Sequence, residues 1–101
     1  MRTLRLTDAA VVDLARVRKW LRQPGAVPAA ERRLQHIQRA IRELRIAPCR
    51  WRYSEHEGSR ERMVEGYKIV YRIDPDTGDN NTAGNVEIRR IFGPWQRSDR
   101  L

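Results

Sequence analysis

The sequence predicts an α+β fold of order β-α-α-β-β-β: a short N-terminal strand, an antiparallel helical hairpin, then a mainly antiparallel sheet. Three observations carry this prediction. Apolar residues recur at helical spacing in two stretches before residue 47. Polar and apolar side chains alternate in residues 66–73 and 86–92. A segment dense in turn formers, residues 74–85, separates those two runs. The 101 residues are read as a single domain, with the hairpin at about 7–46, the sheet at about 2–6 and 60–92, and a tail at 93–101. A chain of this size removes roughly two-thirds of its accessible surface on folding and can hold a core without covalent staples.

The first strand is read from residues 2–6, where Thr3 and Arg5 alternate with Leu4 and Leu6. Thr7 is then a helix N-cap, with Asp8 in the first turn, where the helix dipole favours negative charge. Ala10, Leu14, Val17 and Leu21 form the apolar stripe of the first helix, with Trp20 at its edge, and Gln23-Pro24-Gly25 ends it. Pro28 opens a second helix that is expected to run to about Ile46, before Pro48 stops it. Its stripe is Leu34, Ile37, Ile41 and Leu44, and the short connection favours an antiparallel pair. The outer faces carry Arg16, Arg18, Lys19, Arg32, Arg39 and Arg42.

A polar bridge over residues 49–58 leads to a strand at 60–65, and Gly66 marks a tight turn or a bulge. The next strand turns Tyr67, Ile69, Tyr71 and Ile73 to one face and Lys68 and Arg72 to the other. In the last strand Val86, Ile88 and Phe92 share a face with Arg90. An arginine there means either that the strand is bulged or that Arg90 points into a functional cleft.

The formal net charge is +8, and 19 of the 21 basic residues are arginine. Guanidinium groups make bidentate bonds to phosphates and carboxylates and stack on aromatic rings; a GC-rich coding sequence would also raise the arginine content. A pI near 10.9 implies an acidic partner. Residues 1–22 hold six basic and two acidic side chains and residues 28–52 hold seven and two, so the excess sits on the N-terminal half. A lone cysteine, Cys49, makes no internal disulfide, and neither a leader nor a long apolar run is visible, so a soluble cytoplasmic protein without a membrane partner is expected.

Ordinary catalytic and metal motifs are missing from the sequence. Asp74-x-Asp76 begins like a calcium loop, but Gly78 and Asp79 stand in the wrong order and no glutamate takes the twelfth place, so it reads as a solvated turn. Cys49, His36 and His56 lack the paired spacing of zinc ligands and read as a semi-buried thiol and two surface imidazoles. There is no glycine-rich phosphate loop and no nucleophile elbow. No metal or cofactor is expected.

The element order, the run Glu65-Gly66-Tyr67-Lys68-Ile69-Val70-Tyr71-Arg72 and the closing Val86-Glu87-Ile88-Arg89-Arg90-Ile91-Phe92-Gly93-Pro94 resemble the RelE/ParE superfamily of bacterial type II toxins. The resemblance covers nearly the whole chain in architecture. It implies a toxin held inactive by a co-expressed antitoxin: RelE-like members cleave mRNA on the ribosome, and ParE-like members poison DNA gyrase.

Cleavage through a 2′-hydroxyl needs a base, an acid and cationic stabilisation, which RelE-like enzymes place on the sheet and in a C-terminal Tyr, His or Lys. No such residue follows Tyr71 here. Arg60, Arg62, Arg72 and Arg90 could hold a phosphate in a ribonuclease, but a guanidinium is a poor proton shuttle near neutrality. Glu61, Glu65 and Glu87 are read as members of cross-strand ion pairs. The resemblance therefore favours the ParE-like branch, without a hydrolytic centre, and implies a target-binding surface of Arg89, Arg90, Phe92, Trp95, Gln96 and Arg97; Trp95 could equally fold back onto the core.

An acidic, partly disordered ParD-like antitoxin is the implied partner in a hetero-oligomer, with Trp20, Trp51, Tyr53, Arg16 and Arg39 as its anchors, all of which would also suit an ordinary core edge. A ribosome-dependent mRNA endonuclease and a non-toxic basic nucleic-acid-binding module are the alternative readings.

Overall fold

A computed structural model describes residues 2–25, 27–94 and 96. The order is β1 (Leu4–Leu6), α1 (Asp8–Leu21), α2 (Pro28–Glu43), a 3₁₀ turn (Pro48–Arg50), β2 (Arg60–Val64), β3 (Tyr67–Asp74) and β4 (Asn85–Phe92). This is the expected α+β arrangement. The sheet order is β1-β4-β3-β2, antiparallel except where β1 runs parallel to β4, with Leu4 beside Val86 and Leu6 beside Ile88.

The helices form where capping and periodicity agree. Thr7 is extended, and its Oγ1 accepts from the Ala10 N–H at 3.1 Å. The α1 stripe of Ala10, Leu14, Val17 and Leu21 is buried against Leu34, Ile37, Ile41 and Leu44 and the sheet. Each Leu, Ile or Val of these stripes contributes roughly 1.5–3 kcal/mol by leaving water. Across the hairpin loop Arg22 Nη2 meets Glu31 Oε1 at 3.1 Å.

α2 ends at Glu43, three residues before the expected Ile46. Leu44, Arg45 and Ile46 donate to Ile41, Arg42 and Glu43, so the helix tightens into three-residue bonding before Pro48, whose ring disfavours an α conformation in the residue ahead of it. The bridge that follows is less irregular than expected. Tyr53 makes an isolated bridge to Arg60, and Glu61 N donates to Arg52 O at 3.0 Å, which covers the outer edge of β2 at its start.

Between β2 and β3 the chain reverses in two residues, Glu65 and Gly66, with φ of 53° and 79°. Both values are positive, as a primed hairpin turn requires, so Gly66 belongs to a tight turn and not to a bulge. The expected face of Tyr67, Ile69, Tyr71 and Ile73 is buried under the helices. Lys68 and Arg72 lie on the opposite, open face together with Val70, which is itself buried.

The choice left open at Arg90 resolves as a bulge. Val70 pairs with Arg90, but Tyr71 pairs with Ile88, so Arg89 is the extra residue. The shift transfers the inward position from Phe92 to Ile91: Val86, Ile88 and Ile91 face the helices, while Arg90 and Phe92 share the other face.

Candidate functional site

The open sheet face is built by register. Arg5, Glu87 and Arg72 stand side by side on β1, β4 and β3; Arg90, Val70 and Glu61 form the next row; Phe92, Lys68 and Met63 form the third. Arg5 is ion-paired with Glu87. Lys68 Nζ lies 3.8 Å from Glu55 and 3.9 Å from Glu61. Arg89 spans β3 and donates from Nη1 to Ser59 Oγ at 3.1 Å. Arg72 is exposed, and it lines a groove with Thr3, Arg5, Asp74, Asn85 and Glu87.

Arg90 is held at the margin of this face. Its Nε donates to Asp13 Oδ2 at 2.7 Å and its Nη2 to Oδ1 at 3.2 Å, while its guanidinium lies 4.9 Å from the Phe92 ring. The hydrogen bond to Asp13 raises the Arg90 pKa further above its ordinary value. The same carboxylate accepts the Ile91 N–H at 2.9 Å. Asp13 thereby continues the edge of β4 where β1 has ended, next to Thr7, whose N and Oγ1 donate to Ile88 O and Arg89 O.

The four arginines named for a ribonuclease do not share a face. Arg60 stands beside Tyr71 and Arg62 beside Ile69, both turned toward the helix layer. Arg60 donates to Asp76 from Nε at 2.8 Å and from Nη2 at 3.0 Å, to Trp51 O at 2.6 Å and to Tyr53 Oη at 2.9 Å. That contact holds the Asp76 carboxyl below its ordinary pKa, helped by the Gly78 N–H. Arg62 bonds Ala40 O at 3.0 Å and Glu43 at 3.2 Å, and its guanidinium stacks 4.2 Å from the Trp51 ring. Its Nε is buried and has no hydrogen-bond partner. These two arginines tie β2 to the 3₁₀ turn and to α2.

Of the glutamates, Glu87 makes the expected cross-strand pair with Arg5. Glu61 instead takes Arg52 from the preceding bridge at 2.6 Å, with Lys68 as a longer cross-strand neighbour. Glu65 sits in the turn and pairs with His36 at 2.9 Å and Arg33 at 3.6 Å of α2, and the His36 bond is the main cause of its lowered pKa. The expectation of two surface imidazoles is corrected as well: His36 is half-exposed, but the His56 side chain is only 10% exposed. Cys49 is half-buried; burial and Asp76 push its thiol pKa up, which lowers its reactivity. Among the described residues no group of three or more His, Cys, Asp or Glu could hold a metal ion.

The anchors named for a partner fall at different places. Arg16 and Arg39 are exposed, and Arg16 reaches Asp13 at 3.9 Å. Trp20, 52% exposed, lies near the hairpin loop, whereas Trp51 and Tyr53 follow the far end of α2, a helix about 24 Å long by its rise per residue. Trp51 is packed against the core beneath Arg62, and Tyr53 is exposed with Arg60 4.0 Å above its ring. Gln96 closes a turn by accepting the Gly93 N–H at 2.6 Å. Trp95 and Arg97 lie outside the described residues.

Two side chains that hold the site's framework escaped the sequence reading. Asp13 is 3% exposed, three residues after Ala10 and four before Val17, so an acid lodged on the apolar stripe was the available signal. Arg2 donates to the carbonyls of Arg45, Ile46, Asn80, Ala83 and Gly84, clamping the end of α2 to the β3–β4 loop. Nothing in its local sequence announces that role.

No helix among the described residues is long and apolar enough to cross a membrane. No curated protein matches the chain in sequence. Among solved structures, the chromosomal ParDE toxin-antitoxin system from P. aeruginosa is similar with a TM-score of 0.70 and 21% identity, covering 92% of this chain and 96% of that one. The family described as the ParE toxin of the type II toxin-antitoxin system, parDE, matches residues 4–91. With most of its length matched and the same fold seen in a ParDE structure, the chain belongs to the ParE toxin family of type II toxin-antitoxin systems.

Proposed function

We propose that this chain poisons DNA gyrase on DNA and is neutralised in the cytoplasm by a cognate acidic, ParD-like antitoxin in a hetero-oligomer. Family membership supports the toxin role. The observation that carries the choice of target is the chemistry of β4 on the open face: Arg89 and Arg90 are tethered through Ser59 and Asp13, beside Phe92. Tethered guanidinium groups lose little freedom on binding an anion, and they do not exchange protons near neutrality. That combination suits recognition more than acid–base turnover. Arg89, Arg90, Trp95, Gln96 and Arg97 form the proposed target surface, with Phe92, itself only 3% exposed, beneath the Arg90 guanidinium. Trp20, Trp51, Tyr53, Arg16 and Arg39 remain proposed antitoxin contacts; their separation suits a partner that wraps along the hairpin.

One observation favours the mRNA endonuclease as the second reading. Lys68 shares the open face with Arg72 and stands near two carboxylates, Glu55 and Glu61, which places an acid and bases beside a cation. A paired assay separates the readings. Purified protein is expected to block gyrase supercoiling and leave translated mRNA intact, with Arg89→Ala and Trp95→Ala each weakening the block. Cleaved mRNA with unimpaired supercoiling would select the endonuclease; binding to DNA with neither effect would select a plain nucleic-acid-binding module.

A further inference from the structure

We propose that the segment from Arg50 to Tyr53, backed by Arg60, is a contact site for single-stranded nucleic acid, with one base stacked on the open face of the Tyr53 ring and phosphates held by Arg50 and Arg52. This goes beyond the choice of target, because it concerns direct contact with a strand in the absence of gyrase or ribosome. The segment reads Arg-Trp-Arg-Tyr, two cations interleaved with two rings. Its backbone is pinned to the start of β2: Tyr53 bridges to Arg60, Glu61 N donates to Arg52 O at 3.0 Å and Ser54 N donates to Ser59 O at 2.9 Å. That register sets each ring against an arginine of β2, Tyr53 against Arg60 and Trp51 against Arg62.

The two rings differ in what is left open. Trp51 is packed against the core, with the Arg62 guanidinium 4.2 Å and the Arg50 guanidinium 5.1 Å from its ring. Tyr53 is 66% exposed, yet its ring is held. Arg60 lies 4.0 Å from the ring centroid and donates from Nη2 to the phenol oxygen at 2.9 Å. Arg60 is itself fixed: it is buried and bonded to Asp76 and to the carbonyls of Trp51 and Cys49. A ring that is immobilised and exposed at once loses little freedom when a flat ligand covers it. The face turned away from Arg60 suits a nucleobase, since stacking on an aromatic side chain needs only the π-face that every base carries.

The charges beside the ring fit phosphates. Arg50 is exposed, and its side chain makes no ion pair or hydrogen bond with a described residue. Arg52, with its side chain 71% exposed, uses Nε and Nη2 on Glu61 Oε2 and keeps Nη1 for a further acceptor. The carboxylates nearest the ring are already matched, Asp76 by Arg60 and Glu61 by Arg52. A duplex hides its base faces inside the stack, so the occupant is a single strand. An acidic protein segment would satisfy the guanidinium groups, but its carboxylates offer no flat face to Tyr53. Trp51 and Tyr53 also stand among the proposed antitoxin contacts, so antitoxin and strand would exclude each other here.

The test follows the fluorescence anisotropy of a labelled oligothymidylate of about ten nucleotides as the purified full chain is added at increasing salt. The same titration is run with the oligothymidylate paired to oligoadenylate and with a poly-glutamate peptide; circular dichroism checks that each variant is folded. Tyr53→Ala is expected to weaken single-strand binding about five- to hundredfold, and Tyr53→Phe, which keeps the ring, to retain it. Arg50→Ala is expected to weaken binding and to lower the slope of log K against log salt by about 0.7. Arg32→Ala removes the same charge from an exposed position near the other end of α2 and is expected to leave binding nearly unchanged. No binding by the unaltered chain overturns the site while leaving the target reading to the supercoiling assay. Binding that Tyr53→Ala leaves intact, or that Arg32→Ala weakens as much as Arg50→Ala, assigns the contact to overall charge and overturns the platform. Equal losses in Tyr53→Phe and Tyr53→Ala overturn stacking. Tighter binding of the duplex overturns the single strand, and poly-glutamate bound as tightly as the oligonucleotide assigns the segment to an acidic protein and overturns the nucleic-acid occupant.

Discussion

Asp13 and Arg90, 77 residues apart in the chain, join the middle of α1 to the edge of β4 through two hydrogen bonds of 2.7 and 3.2 Å. Because the same carboxylate also accepts the Ile91 N–H, it stands in for the strand that β1 is too short to provide. Asp13→Ala is expected to cost about 3 kcal/mol, since it leaves a partly buried guanidinium and a buried N–H without partners. Asp13→Asn keeps an acceptor for Ile91 and is expected to cost less. Urea unfolding of both variants against the parent measures the difference.

The Arg60–Asp76 pair sets an acid limit on stability. Its side-chain bonds hold Asp76 below the ordinary aspartate value, which is about 3.9 in the unfolded chain. A depressed folded-state pKa means that the pair contributes fully above the unfolded value and is lost as pH falls through the lower folded one. Melting temperature followed downward from about pH 6 is expected to fall more steeply for the parent than for Asp76→Asn. Equal slopes would show that the pair does not govern this limb.

Tyr71 is fully buried, and its hydroxyl donates to Pro48 O at 2.6 Å. Burial drives its pKa far above the ordinary phenol value. Tyr71→Phe removes the donor and leaves a buried carbonyl, an expected loss of about 1–2 kcal/mol. In an alkaline absorbance titration the Tyr71 phenol is expected to ionise only with unfolding.

Gly84 tests the close approach that Arg2 helps to clamp. A Cβ there would sit 1.9 Å from Asp74 O and 2.4 Å from Asp74 C, both backbone atoms that cannot swing away. Gly84→Ala is therefore expected to displace the β3–β4 loop at a cost of about 2–3 kcal/mol. Thermal unfolding of this variant reads it out; Gly78→Ala, where the added Cβ meets open space but φ is 78°, is expected to cost only the roughly 1 kcal/mol of a left-handed backbone.

Arg72 separates the two target readings. It is exposed, and no ion pair or hydrogen bond to a described residue is seen for it. Arg72→Ala is expected to change stability by no more than about 0.5 kcal/mol and to leave the block on supercoiling intact, as measured by unfolding and by supercoiling in parallel, whereas a loss of mRNA cleavage in this variant would favour the endonuclease reading.

What the sequence made legible was local. The stripes Ala10-Leu14-Val17-Leu21 and Leu34-Ile37-Ile41-Leu44, the Thr7 cap and the inward face of β3 follow from spacing alone, and each is where the periodicity puts it. Non-local pairing was not legible. The parallel seating of β1 on β4 and the bulge at Arg89 depend on residues more than eighty positions apart or on a one-residue slip in register. The arginines show the same limit. An alternating strand predicts that Arg60 and Arg62 share a face, but only Asp76, Glu43, Trp51 and Tyr53, brought in from elsewhere, make burying them affordable.

The seating of β1 beside β4 also orders events during synthesis. Among the described elements β1 is made before the others, and its strand partner β4 is made after them. Until Val86–Ile88 have been added, Leu4 and Leu6 have no strand to pair with. A chain interrupted before Val86 therefore presents no finished sheet face to any target. The sheet closes late, and any action that rests on its finished face waits for β4.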